Sequence, residues 1–214
     1  MQNKSFVGIT IHFLEKSKIT SGTMGVFELF ERHTAEYMQR RLTEIFDEWC
    51  VSIDRVTAVV TDNDSTIMKV NREMFGENKI IPCFAHTVNL VVINSLDKAK
   101  TSSLIISKIR EIIKFLKRTV NASDELRKKQ RDFGVKEGQT KKLILDVRTR
   151  WISTYYMLER FIELVSTIGA ILLCRSDAPP MITSSEVACL REIVQLLEPF
   201  EKLTKEISGQ NYVT

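Results

Sequence analysis

The sequence predicts an α/β protein whose strands lie in its first half and whose second half is almost entirely helical. A β-branched, alternating segment opens the chain, and a continuous apolar run follows at residues 55–61. From about residue 85 onward, apolar residues recur at three- and four-residue steps, as in helices. The 214 residues, 43% of them hydrophobic, suffice for one large domain or two small ones with a substantial core.

Four segments have the character of β-strands. Residues 6–14 alternate and are rich in β-branched side chains, whereas residues 19–30 suit either a strand or a helix. The apolar run at residues 55–61 predicts an unbroken strand that is buried on both faces and therefore central. Residues 79–84 predict a short strand interrupted by Pro82. We expect one mixed sheet containing strands near residues 6–14, 21–29, 55–61 and 79–83.

Helical periodicity begins at residues 34–50, with Thr34 placed to act as the N-cap. Ser65 or Thr66 can cap a shorter helix that runs to about Phe75. Farther along, one helix carries an apolar stripe made of Leu104, Ile105, Ile109, Ile112, Ile113, Leu116 and Val120.

The rest of the chain predicts a polar loop at residues 134–142, a long helix from about 150 to 174, and a final helix from about 184 to 207. Pro179 and Pro180 separate the two helices. We therefore divide the chain into an α/β part at residues 1–97 and a helical part at residues 98–214.

Composition argues for an intracellular, reduced protein. No apolar run is long enough to span a bilayer, so we expect no membrane association, and the start MQNKSFVG lacks the apolar stretch of a secretory signal. The cysteines form neither a CxxC pair nor a disulfide framework; they are Cys50, Cys83, Cys174 and Cys189.

Positive charge is concentrated in the middle of the chain. Residues 98–150 contain 16 Lys and Arg against 6 Asp and Glu, a net charge of +10, and the remainder carries −6. Such a block predicts a polyanionic partner such as nucleic acid. The helix face opposite the apolar stripe carries Arg110, Lys114, Lys117 and Arg118. The same face could instead be merely solvated, or could bind calmodulin or an acidic membrane surface.

Polar residues follow the predicted strand at residues 55–61, in the stretch VTDNDSTIM. A carboxylate there, at Asp62, would open onto the crevice where α/β sheets tend to bind ligands. A calcium loop would place ligands at Asp62, Asp64, Thr66 and Glu73. Its sharp turn needs glycine where this chain has Ile67.

The same stretch also resembles the nucleophile motif of haloacid-dehalogenase phosphotransferases, through Asp62, Asp64 and Thr66. That chemistry requires a later acidic pair to hold the metal, and neither an Asp-Asp nor a GDxxxD pair follows. A five-residue match without these partners is a weak signal.

Two further motifs follow VTDN in order: PCFAHTVNLVV at residues 82–92 and DVRTRWISTYYMLER at residues 146–160. The series TDN, CFAHxxNL and TRWxSTYxMLxR resembles hAT-superfamily transposases and the zinc-finger BED-type proteins derived from them. The resemblance covers nearly the whole chain. It implies a ribonuclease-H-like core, here incomplete, interrupted by an α-helical insertion, with residues 19–30 forming a strand. It also implies a nuclear protein.

In this family, two aspartates and a glutamate hold the divalent metals, Mg²⁺ in a complete member, that cleave and join DNA. Asp62 matches the second aspartate, whereas Asp64 stands where the family usually has a small residue. The first aspartate belongs to a strand upstream of residues 6–14, and the glutamate lies beyond Thr214. A BED finger is not expected, because its pairs of cysteines and histidines are missing. We therefore expect no cofactor in this chain and no DNA cleavage by it.

Two alternatives to that expectation stay open. The chain could be a fragment of an active transposase whose other carboxylates lie outside it. It could also be a pseudogene-like product with no selected function. The role we expect is association with nucleic acid, or with possible protein partners, in the nucleus and without catalysis.

The remaining motif residues have both a structural and a functional interpretation. Cys83 and His86 form half of a zinc site, but the second half is missing, so we expect a packed, metal-free pair. We expect Asn89 to cap or cross-link nearby backbone. Arg148 and Arg150 beside Trp151 suit phosphate contact and base stacking. Trp151 could equally be a core residue at the start of an amphipathic helix.

Overall fold

The computed structural model describes residues 4–118 and 122–207. The strands are β1 (Ser5–Glu15), β2 (Lys18–Leu29), β3 (Val59–Thr61) and β4 (Ile80–Pro82). The helices are α1 (Ala35–Glu48), α2 (Ser65–Phe75), α3 (Phe84–Lys98), α4 (Lys100–Arg118), α5 (Ala122–Asp132), α6 (Trp151–Glu163), α7 (Val165–Leu173) and α8 (Ser184–Ile207). The chain forms two compact units, residues 1–87 with 205–214, and residues 88–204.

Strands β1 and β2 form a long antiparallel hairpin whose register runs from Ser5 opposite Leu29 to Glu15 opposite Lys18. The two turn residues, Lys16 and Ser17, have φ angles of 48° and 65°. Positive φ at both positions is the geometry that matches the right-handed twist of paired strands. The predicted strands near residues 6–14 and 21–29 are therefore confirmed, and the ambiguous stretch at 19–30 is a strand.

The predicted single mixed sheet is not confirmed. Among the described residues, β1 pairs with β2, and β3 pairs in parallel with β4, as two separate two-stranded sheets. The interpretation of residues 55–61 as a buried central strand was wrong. A 3₁₀ turn at Ile53–Arg55 ends at its first residue, and residues 56–58 belong to no strand. The three-residue strand β3 is half-buried and has a described partner on one edge alone.

One face of the hairpin covers α1 and α2. The core of this unit is formed by Leu29, Ala35, Tyr37, Met38, Leu42 and Val70, with Val7, Ile9, Ile67 and Met74 packed against it. Thr34 is the N-cap of α1, as predicted, and its hydroxyl accepts a hydrogen bond from the Tyr37 N–H at 3.2 Å. Helix α2 also forms where predicted, but its N-cap is Asp64 rather than Ser65 or Thr66.

Residues 88–204 pack as helices around a large aliphatic core. Helix α4 contributes Ile105, Ile106, Ile109, Ile112, Ile113 and Leu116. This matches the predicted stripe except at Leu104, which is 64% exposed, and Val120, which lies outside the described residues. The predicted long helix at residues 150–174 is two helices, α6 and α7, which are separated at Leu164. Helix α8 matches the predicted final helix.

Of the helices at residues 4–118 and 122–207, none is both long and apolar enough to cross a membrane.

Candidate nucleic-acid interface

A turn at residues 146–150 leads into α6 and is fixed by the side chain of Asn89 on α3. The Trp151 N–H donates to Asn89 Oδ1 at 3.0 Å, and Asn89 Nδ2 donates to the Thr149 carbonyl at 3.2 Å. Arg150 occupies the N-cap position of α6 but makes no side-chain capping bond. Asn89 therefore satisfies one of the free N–H groups at the start of α6 from a different helix.

Asp146 anchors the beginning of the same turn to α4. Two nitrogens of Arg110 donate to its carboxylate: Nε lies 3.0 Å from both oxygens, and Nη2 lies 2.6 Å from Oδ2. The Thr154 hydroxyl also donates to Oδ2, at 2.8 Å. The side chains of Arg110 and Asp146 are 17% and 2% exposed. Burial alone would raise the pKa of Asp146, but the hydrogen bonds from Arg110 and Thr154 outweigh it and hold this pKa below its ordinary value.

Ser153 closes the turn from inside. Its Oγ accepts from the Val147 N–H at 2.8 Å and donates to the Arg150 carbonyl at 2.7 Å. The Arg150 N–H also donates to the Val147 carbonyl at 2.8 Å. Several hydrogen bonds thus fix the backbone from Val147 to Arg150, and with it the Cα positions of Arg148 and Arg150.

Exposed cations lie in this turn and along α4, the helix to which Asp146 joins it. Arg148 and Arg150 are exposed, as are Lys117 and Arg118. Lys114 is half-buried and pairs with Glu111 at 2.9 Å. We call Lys114, Lys117, Arg118, Arg148 and Arg150 the basic surface. Arg110 was predicted to belong to it, but its guanidinium is committed to Asp146 because that carboxylate is buried beside it.

Trp151 is a core residue in this structure. Its side chain is 1% exposed, and its ring makes edge-to-face contacts with Tyr155 and Phe200 at centroid distances of 6.4 Å. A base can stack only on an exposed ring face, so of the two interpretations of Trp151 this conformation supports the core one. The small cavity that Trp151 lines with Arg110 and Arg148 holds about 20 Å³, which is room for a water molecule and not for a base.

Asp62 lies directly after β3 and is exposed. Its Oδ1 accepts from the Asp64 N–H at 3.3 Å, while Asp64 Oδ1 accepts from the N–H groups of Thr66 and Ile67. Within the described ranges, no three His, Cys, Asp or Glu side chains come together as a metal site. The described donor set at Asp62 therefore does not fit a two-metal centre.

The CxxH pair lies at the start of α3. Cys83 Sγ accepts from the His86 N–H at 3.4 Å, and the Cys83 carbonyl accepts from the N–H and the hydroxyl of Thr87. Cys83 thus caps α3, and both Cys83 and His86 are half-buried. Capping gives Cys83 a structural role, and it uses the backbone N–H of His86 rather than its imidazole ring.

Several residues that build this interface were not singled out from the sequence. They are Asp146 in the turn, Ser153 and Thr154 on α6, and Glu111 among the cations of α4. The first three lie inside the quoted motif DVRTRWISTYYMLER. The available signal was the dense series of short polar side chains before a helix, which is typical of backbone capping.

Comparison with known proteins identifies the family. The model of the ZBED1 RNase-like helical domain matches residues 81–196, more than half of the 214 residues. This chain belongs to the ZBED1 RNase-like helical domain family. The match covers both motifs that form the interface, CFAHTVNL and TRWISTYYMLER.

Curated relatives agree with this family. The human zinc finger BED domain-containing protein 4 is 27% identical over 179 residues, which are 83% of this chain and 15% of that protein. The putative AC transposase of Zea mays is 24% identical across 100% of this chain and 28% of its own length. The putative transcriptional regulator tpeD of Talaromyces stipitatus is 26% identical over 99% of this chain and 28% of its own length. This chain spans between 15% and 28% of these three relatives, and the predicted resemblance to hAT transposases and BED-type proteins is confirmed.

The ion pair between Arg110 and Asp146 should stabilise the ZBED1 RNase-like helical unit. Because breaking a buried pair leaves an uncompensated charge, Arg110→Ala should cost about 3 kcal/mol in the free energy of unfolding. The pKa of Asp146 is lower in the folded chain than its ordinary 3.8. The stabilisation from ionised Asp146 is therefore fully present above that value and is lost as pH falls through the folded pKa.

Thermal or urea unfolding of wild type and Asp146→Asn at several pH values measures this effect. The stability gap should be largest near neutral pH and should narrow below about pH 4. Asp132→Asn makes the same chemical change at an exposed pair with Lys129 and should cost less than 1 kcal/mol. Equal costs for the two variants would contradict this role of Asp146.

Trp151→Ala should destabilise the helical unit by about 3–5 kcal/mol, because removal of a fully buried ring leaves a cavity. Leu173→Ala, in the same unit and 89% exposed, should have little effect. Melting temperature and affinity for single-stranded DNA should be measured on the same preparation. A variant that keeps its melting temperature but loses single-strand affinity would support stacking of Trp151 instead.

Proposed function

We propose that this transposase-derived chain associates with nucleic acid in the nucleus through the basic surface and does not cleave DNA by itself. The observation that carries the proposal is the fixed turn at residues 146–150, which carries two exposed arginines and is joined by Asp146 to the cation-bearing helix α4. Rigid anchoring lowers the entropy lost when these side chains meet a charged ligand.

The ligand chemistry follows from the side chains on offer. Lysine and arginine donors match phosphate oxygens, and guanidinium groups can bind them in bidentate fashion. The ring of Trp151, which could have stacked on bases, is buried. Contacts to phosphates alone carry no sequence information, so binding should show little preference among sequences.

The relatives support a nucleic-acid partner. Their names describe BED zinc finger proteins, a transposase and a transcriptional regulator. Protein partners are compatible with the same surface, since acidic proteins also present carboxylates to lysine and arginine.

Binding should depend steeply on salt, because each neutralised phosphate releases a counterion. Arg148→Ala should reduce the slope of log affinity against log salt by about 1 and should weaken binding to different sequences equally. Arg191→Ala, an exposed arginine on α8 outside the basic surface, is the matched control and should leave the slope unchanged. Fluorescence anisotropy with duplex and single-stranded oligonucleotides measures both.

Absence of binding to DNA and RNA at low salt would reject the nucleic-acid proposal. The chain would then be better described as a protein-interaction segment.

A second candidate is a segment of an active DNA transposase, which is favoured by the match to the putative AC transposase over 100% of this chain and 28% of that protein. Under that candidate, Asp62 would be one ligand of a metal centre completed by residues outside this chain.

Incubated with Mg²⁺ or Mn²⁺ and transposon-end DNA, this chain should neither nick nor join strands, because Asp62 lacks the further carboxylates that such chemistry requires. Strand cleavage resolved on a denaturing gel is the measurement. Robust cleavage that disappears in Asp62→Asn but persists in Asp54→Asn would overturn the non-catalytic proposal and favour the transposase candidate.

A further inference from the structure

Glu111 is an acidic residue inside the basic surface. Its Oε1 lies 2.9 Å from Lys114 Nζ, and the two side chains are 62% and 38% exposed. Lys114 and Arg118 follow Glu111 by three and seven residues on α4, a spacing that places all three side chains along one side of the helix. The carboxylate therefore has two cations on its own helix.

The turn at residues 146–150 places a third cation, Arg148, near this part of α4. Arg110, which immediately precedes Glu111, holds the carboxylate of Asp146, and Arg148 lies two residues beyond Asp146. Arg110 and Arg148 also line the same small cavity. The Lys114 ammonium lowers the pKa of Glu111 most strongly, and the charges of Arg118 and Arg148 lower it further.

We propose that the Glu111 carboxylate occupies the position of a nucleic-acid phosphate, and that Lys114, Arg118 and Arg148 form one phosphate site when Glu111 turns away. This inference rests on the proposed function of the basic surface. Carboxylate and phosphate oxygens accept the same charge-assisted hydrogen bonds from ammonium and guanidinium groups, so the two anions compete for the same donors. Glu111 thereby limits the affinity of the surface.

The geometry makes this competition possible without unfolding. Glu111 lies on the exposed side of α4, and its carboxylate is joined to the protein by a flexible side chain. An exposed ion pair of this kind is weak, so a phosphate with two or three cations in reach can displace it. The backbone of α4 and the turn keep their positions because the pair between Arg110 and Asp146 is separate from this exchange.

The test is the affinity of Glu111→Gln for a duplex oligonucleotide at low salt, compared with wild type and with Glu137→Gln. Glu137 is 91% exposed and lies in the same basic block, so its variant makes an identical change in net charge away from the three cations. We expect Glu111→Gln to bind about two- to fivefold more tightly than wild type. Glu137→Gln should bind like wild type, and both variants should keep the wild-type melting temperature.

A double-mutant cycle with Arg148 locates the effect. The gain from Glu111→Gln should be smaller in an Arg148→Ala background, because one of the three donors is then missing while Lys114 and Arg118 remain. Glu111→Asp keeps the charge but shortens the side chain, so its gain in affinity should be smaller than that of Glu111→Gln.

The outcomes separate the two levels of the proposal. A wild-type chain that binds no nucleic acid at low salt would reject the proposed function itself. Wild-type binding with equal affinities for Glu111→Gln and Glu137→Gln would reject the role of Glu111 and leave the proposed function standing. An undiminished gain in the Arg148→Ala background would also reject the three-cation site.

Discussion

The bidentate contact between Arg110 and Asp146 is the interaction on which the arrangement of the basic surface depends. Asp146 is nearly inaccessible to water, and removal of a carboxylate from water is costly unless charged donors surround it. Arg110 and Thr154 supply those donors from two helices, so α4, the turn and α6 share one polar centre. A buried pair of this kind adds little net stability compared with apolar packing. It does impose a geometry, because few other arrangements of the three segments satisfy all of its hydrogen bonds.

Residues of the recognised motifs serve mainly as caps and cross-links in this structure. Cys83 caps α3, Asp64 caps α2, and Ser153 closes the turn before α6. Each meets backbone groups that would otherwise lack a partner at a helix end or in a turn. Polar side chains whose spacing suggests metal ligands or nucleophiles can therefore have a different role, which is to form hydrogen bonds with nearby backbone groups. Asp62 is exposed, and its carboxylate accepts a single long hydrogen bond from the Asp64 N–H within the described part of the chain.

Features that depend on neighbours along the chain could be predicted from the sequence. The cap at Thr34, the strands of the hairpin and most of the apolar stripe on α4 all follow from local periodicity and side-chain chemistry. The pairing of strands could not be predicted, because residues 55–61 look like a central strand by composition whereas a 3₁₀ turn ends at their first residue and residues 56–58 belong to no strand. The buried role of Arg110 could not be predicted either, because Arg110 lies on the same side of α4 as Lys114 and Lys117. Its partner Asp146 is 36 residues away in the sequence. Trp151 was undecided because an amphipathic ring beside arginines suits both a core and a ligand site.

The cross-link made by Asn89 sets an unusually narrow chemical requirement at that position. Its amide presents an acceptor to the Trp151 N–H and a donor to the Thr149 carbonyl from adjacent atoms of a single short side chain. Aspartate has the same shape but offers two acceptors, so one of its carboxylate oxygens would repel the Thr149 carbonyl oxygen. Leucine has a similar size but offers neither group, and glutamine offers both from one methylene farther out. The turn therefore requires both the acceptor and the donor of this amide. Slow deamidation of Asn89 to aspartate would replace the donor by a second acceptor while leaving the shape of the side chain almost unchanged.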